Sequence, residues 1–120
     1  MGPPRRDLVP RCRVFSGRLL RYCDRVACSG SVPGHVVDQL TRAGTSIGGH
    51  NAEAESALTR RHLTALRGGA LREAREAQYW LHIVADYSQA TDPDTRWLQQ
   101  EVSELIAILT TIVAKLRGDP

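Results

Sequence analysis

The sequence predicts an all-α protein, an antiparallel up-down-up-down four-helix bundle. Three observations carry that reading. The longest uninterrupted stretches are made of Ala, Leu, Arg and Glu, which are strong helix formers, whereas Val, Ile and Thr never gather into alternating runs. Apolar residues recur at helical spacing in four blocks, and the blocks are separated by short breaks rich in Gly, Pro, Ser or Asp. A chain of 120 residues is enough for one core and one domain.

Each block can be justified in turn. The first helix is predicted from about Arg13 to Cys28, with Phe15, Leu19, Tyr22 (or Cys23) and Val26 on one face. Residues 1–12 then form a flexible basic arm, and residues 13–117 form the bundle. SGSVPG, Ser29 to Gly34, ends the first helix, and Pro33 suits the first turn of the second, which runs to about Ala57. Thr59 is positioned to cap a third helix that continues to about Ser88, with Leu63, Leu66, Ala70, Ala74, Ala77, Leu81 and Val84 in register. Asp92 and Pro93 restart the chain into a fourth helix whose Leu98, Val102, Leu105, Leu109, Ile112 and Leu116 form a heptad seam. Short connections make consecutive helices antiparallel neighbours.

The second helix contains the stretch TRAGTSIGGHNA, Thr41 to Ala52, which imitates two catalytic motifs. Gly44, Ser46 and Gly48 match G-x-S-x-G, but a nucleophile elbow needs a strand before it, and none is predicted. Gly44 and Gly49 have phosphate-loop spacing, yet His50 and Asn51 stand where the required Lys and Ser/Thr belong. Packing is the remaining explanation. Three helical glycines cost roughly 2–3 kcal/mol relative to alanine, so a close helix neighbour must offset them. Gly44, Gly48, Gly49 and Ala52 are therefore expected to make a slim side, against the small row Gly69, Ala70, Ala74 and Ala77 of the third helix. Thr41, Thr45 and Ser46 are expected to bond back to the preceding turn.

Charge and cysteines bound the function. Residues 1–25 carry seven arginines against Asp7 and Asp24, a local +5 in a chain of net +3, while residues 72–120 sum to −3. Arg5, Arg6, Arg11, Arg13, Arg18, Arg21 and Arg25 are thus the candidate contacts to an RNA or DNA backbone. A solvated charged face is the plainer reading of the same run. Cys12, Cys23 and Cys28 are odd in number and lack C-x-x-C spacing, so we expect thiols in a reducing cytoplasm, with no disulfide framework and no zinc site. No apolar run approaches the ~18 residues of a membrane span, and the charged N-terminus has no hydrophobic segment behind it. No membrane role, cofactor or catalytic residue is expected. A metal site at His50, Glu53, Glu73 and Glu76 is a weaker alternative to a polar layer that also includes Arg42. Trp80, Ile83 and Tyr87 on the third helix, with Ile106 and Val113 on the fourth, are apolar beyond one stripe per helix. They are the expected oligomer interface.

QLTRAGTSIGGHNAEA followed by ALREAREAQYWL resembles the four-helix-bundle family named after the intervening sequences of bacterial 23S ribosomal RNA genes. The family pattern, QL-x-R-[AS]-x-TS-[VI]-G and then AL-x-EA-x-E-x-x-YWL, falls on Gln39, Leu40, Arg42, Thr45 to Gly48, and then Ala70, Leu71, Glu73, Ala74, Glu76 and Tyr79 to Leu81. An acidic position between the two falls on Glu53. Where the pattern has Asn followed by an aromatic or aliphatic residue, this chain has His50 and Asn51. Either His50 replaces that Asn or the polar contact has moved by one residue. The resemblance implies a non-enzymatic bundle that forms ring-shaped homo-oligomers, commonly pentamers. It also implies similarity to accessory proteins of diversity-generating retroelements, which bind nucleic acid and a reverse transcriptase.

Overall fold

A computed structural model describes residues 7–88 and 92–118, all of which lie in four helices or their connections. They are α1 (Leu8–Ser29), α2 (Gly34–Ala54), α3 (Arg60–Ser88) and α4 (Pro93–Leu116), in a bundle of extents 44 × 26 × 21 Å. No strand occurs among the described residues, so Ser46 sits mid-helix and the elbow motif has no turn to act on.

The helix ends follow local chemistry. Gly30 closes α1 in the left-handed region, φ 66°, where its N–H bonds the Ala27 carbonyl at 3.2 Å. The Thr59 hydroxyl accepts from the His62 N–H at 3.0 Å and starts α3. The Asp92 carboxylate accepts from the Asp94 N–H at 2.8 Å, with Pro93 at the first position of α4. Two boundaries differ from the sequence reading. α2 ends at Ala54, and α1 begins at Leu8, so residues 8–12 belong to the bundle. The extra turn forms because Leu8 and Cys12 are apolar, four apart, and both buried, continuing the Phe15–Leu19 face backwards. Pro10 does not break it, since an N–H in the first turn has no helical partner to lose.

Side-chain pairings fix the topology. Gly44 meets Leu19 and Gly48 meets Cys12, so α1 and α2 run antiparallel. Asn51 meets Arg67, and Arg42 meets Glu73 and Glu76, which sets α2 against α3. Gln78 bonds Ser103 while Arg60 reaches Leu116, which sets α3 against α4. The core holds Phe15, Leu19, Leu40, Ile47, Leu81, Leu98, Leu105 and Leu109 at 0–1% exposure. Each predicted apolar row supplies residues to it, and the α4 seam is buried from Leu98 to Ile112.

Candidate interaction surfaces

The arginines of α1 do not form one free basic face. The Arg11 guanidinium donates to both carboxylate oxygens of Glu101, from Nε at 2.6 Å and Nη2 at 2.9 Å, and lies 3.3 Å from Glu104. Its side chain is 17% exposed and that of Glu101 12%; the hydrogen bond to Glu101 is the main cause that raises the Arg11 pKa further. Arg18 lies 3.3 Å from an Asp94 oxygen and 3.8 Å above the Trp97 ring. Arg25 bridges Asp92 and Asp94 at 3.2 and 2.7 Å, 5.7 Å from the centre of the Tyr22 ring. Three of the seven candidate phosphate contacts therefore spend their charge on α4. Arg13 and Arg21 are exposed without a carboxylate partner among the described residues, and Arg5 and Arg6 lie outside those residues. The signal for this was present in the sequence. Arg11, Arg18 and Arg25 recur every seven residues, and Asp94 and Glu101 are also seven apart.

The polar layer forms, with a smaller membership than expected. Arg42 pairs with Glu73 at 3.3 Å and with Glu76, and Trp80 Nε1 donates to Glu76 at 3.2 Å. The hydrogen bond from Arg42, more than any other contact, holds the Glu76 carboxyl below the usual carboxylate range. With Arg42 about half exposed, the layer sits at the bundle edge, not inside it. His50 and Glu53 are not part of it. The His50 ring lies over Gly69, where an added Cβ would approach within 3.4 Å, and Glu53 is exposed. No group of three or more His, Cys, Asp or Glu lies together among the described residues, so the metal alternative has no geometry.

The buried polar contact sits one residue beyond His50. Asn51 is fully buried; its amide donates to Cys12 Sγ at 3.6 Å, and its carbonyl oxygen accepts from Arg67 at 3.0 Å. This single side chain links α1, α2 and α3. Burial pushes the Cys12 thiol pKa up, partly offset by the Asn51 hydrogen bond, and burial likewise raises that of Cys23. At the opposite end of α1 the Thr95 hydroxyl donates to the buried Tyr22 oxygen at 2.9 Å.

The glycines do pack, but against α1 rather than α3. A Cβ on Gly44 would overlap Leu19 and meet Phe15 at 3.6 Å; one on Gly48 would stand 3.1 Å from Cys12 Cβ. Gly49 and Ala52 contribute no such contact: Gly49 faces open space and Ala52 is exposed. Both instead line a shallow open groove of about 480 Å³ between α1 and α2, together with Val9, Arg13, Leu20 and Gly48. Thr41, Thr45 and Ser46 donate to the carbonyls one turn back at 2.6–2.8 Å, as expected.

The surplus apolar surface is mostly absorbed by the chain itself. Val113 is 4% exposed, which removes it as an interface residue: α4 is rotated so that both Ile112 and Val113 face inward. Trp80, Ile83 and Ile106 pack in part against the core. Tyr87 is 64% exposed, and Tyr79, not anticipated, is 56% exposed with its ring edge-on to Trp80 at 5.1 Å. Val14 and Leu20 are exposed on α1 and Leu58 in the α2–α3 turn.

These helices and surfaces define a four-helix bundle stapled by ion pairs, with an aromatic patch on α3 and a small-residue groove between α1 and α2. A profile of the 23S rRNA-intervening sequence protein family matches residues 33–111, and the chain belongs to that family. Among solved structures it is similar to a protein with unknown function from the S23 ribosomal protein family of Bacteroides thetaiotaomicron. The two share 24% identity at a TM-score of 0.81, over 88% of this chain and 97% of that one, a likeness of fold. No curated protein matches the chain.

Proposed function

We propose that the protein is a non-enzymatic scaffold that assembles with copies of itself in the cytoplasm and contacts the backbone of RNA or DNA. The observation that carries it is the pair of unlike apolar surfaces left outside a closed core. Tyr79 and Tyr87 project from α3, and the groove floored by Gly48, Gly49 and Ala52 lies between α1 and α2. Unlike surfaces on one chain make heterologous contacts, which close into rings when the rotation permits; a pentamer is the ring that the family resemblance favours. A ring repeats every basic side chain, so weak phosphate contacts add through multivalency. The three free thiols fit a reducing compartment. No helix among the described residues is long and apolar enough to cross a membrane.

A reverse transcriptase is the protein partner that the retroelement likeness suggests. The second reading, a protein-only module, is favoured by the neutralisation of Arg11, Arg18 and Arg25, which lowers the free positive charge of α1. A pull-down from lysate with and without nuclease separates the two. Co-purified RNA or DNA that disappears on nuclease treatment, releasing proteins with it, supports the scaffold reading. Protein partners retained in both arms with no nucleic acid support the module.

A further inference from the structure

Because α1 spends three arginines on α4, much of the positive charge open to a partner lies on the other helices. At the end where α1 and α3 begin and α2 and α4 finish, Arg60, Arg61, Arg67, Lys115 and Arg117 outnumber Asp7, Glu53 and Glu55. Towards the other end, Asp24, Asp38, Asp86, Asp92 and Asp94 outnumber Arg18, Arg21, Arg25 and Arg96. Outside the described residues, Arg5 and Arg6 precede α1 and Asp119 follows α4. The two ends are thus opposite in sign, and an anionic polymer is steered to one of them.

The local chemistry strengthens that end. Arg60 donates from Nε to the Leu116 carbonyl and from Nη2 to the Lys115 carbonyl, both at 3.2 Å. It thereby covers the negative pole of α4. The first turn of α3 holds no acidic residue, so only the neutral Thr59 hydroxyl caps its positive pole. Arg61, Lys115 and Arg117 are exposed with no carboxylate partner among the described residues; the Arg117 guanidinium lies over Gly68, 4.0 Å from where a Cβ would stand. We propose that this end is where a nucleic-acid backbone binds, with Arg61, Lys115 and Arg117 as its phosphate contacts. The inference rests on the nucleic-acid reading above and moves the contact from the flank of α1 to the end of the bundle. An anionic bilayer is the competing occupant, since Leu58 is 96% exposed in the adjacent turn. One leucine is far less than the continuous apolar face by which interfacial helices bind, so phosphodiester is the better fit.

The test is fluorescence anisotropy of a ~20-nucleotide single-stranded RNA over about 50–200 mM salt. It compares the wild type, a triple variant Arg61→Gln, Lys115→Gln, Arg117→Gln, and a flank variant Arg13→Gln, Arg21→Gln. Each lost phosphate contact lowers the slope of log K against log salt by about 0.7 on a single strand, so the triple variant should lose about 2. Its affinity at the lowest salt should fall at least tenfold, with an unchanged melting temperature, and the flank variant should keep most of its slope. Arg61→Glu alone should weaken binding in the same direction. If the flank variant loses the slope while the triple variant keeps it, this placement fails and the nucleic-acid reading stands. A wild type that binds no RNA overturns both. Binding only to vesicles containing phosphatidylserine, lost in the triple variant, makes the end a membrane surface and overturns the proposal.

Discussion

At the residue scale, the three glycines of α2 that stood out in the sequence have different reasons for being there. Gly44 is required by Leu19, a fully buried side chain whose methyl group an added Cβ would overlap, so Gly44→Ala should cost about 1–3 kcal/mol by overpacking. Gly49 meets nothing, and Gly49→Ala should raise stability by about 0.5–1 kcal/mol through helix propensity. Thermal melts of the two variants check this; shifts of the same sign would refute the packing account. Gly48 is intermediate, close to Cys12, and Gly48→Leu should cost about 1–3 kcal/mol. Glycine-rich helical sequence announces close approach, but it does not say which helix approaches. The small row of α3 looked complementary, whereas the larger Leu19 and Phe15 of α1 fill the space.

The buried thiols give a pH dependence of definite sign. Cys12 and Cys23 have folded pKa values above their unfolded ones because burial penalises the thiolate. Their contribution is fully present below the unfolded value, about 8.5, and is lost as pH rises through the folded value. Each thiol then costs up to about 1.4 kcal/mol per pH unit in that window. Urea midpoints at about pH 7 and pH 9.5 should fall for the wild type, and fall less for Cys12→Ala. Equal losses in the two proteins would show that Cys12 ionises as freely in the fold as outside it.

At the element scale, α1 is held in two unlike ways. Phe15, Leu19 and Cys12 pack it against α2, whereas Arg11, Arg18 and Arg25 bind it to α4 through carboxylates and Trp97. The Arg11–Glu101 pair is bidentate and mostly buried, so a double-mutant cycle should give a coupling of about 1–3 kcal/mol. The Arg25–Asp92 pair is exposed and screened by solvent, so its coupling should be much the smaller of the two. Comparable couplings at both sites would mean that burial does not distinguish them. Helix number, order and core rows were legible in the sequence because apolar spacing and caps are local signals. The fate of the arginines was harder to read: their seven-residue repeat is visible, but partners 67 to 90 positions away look like any solvated charge until the helices are placed. Val113 misled for a related reason: two adjacent apolar residues suggest a second face, yet a small rotation of α4 buries both Ile112 and Val113.

At the scale of the whole molecule, the proposed assembly is argued from what remains exposed once the core is closed. Tyr79 and Tyr87 leave much of their rings in water, and Leu20 borders a groove whose floor is Gly48, Gly49 and Ala52. Substituting both tyrosines by serine should disperse the proposed assembly without unfolding the bundle, because neither ring belongs to the core. A variant that keeps the wild-type mass would move the interface elsewhere. The central claim is that the protein is a self-assembling scaffold, and light scattering at micromolar concentration tests it most directly. The account expects a mass several times that of one 13.2 kDa chain, with five chains favoured and no growth on concentration; a stable 13.2 kDa species at that concentration would contradict it.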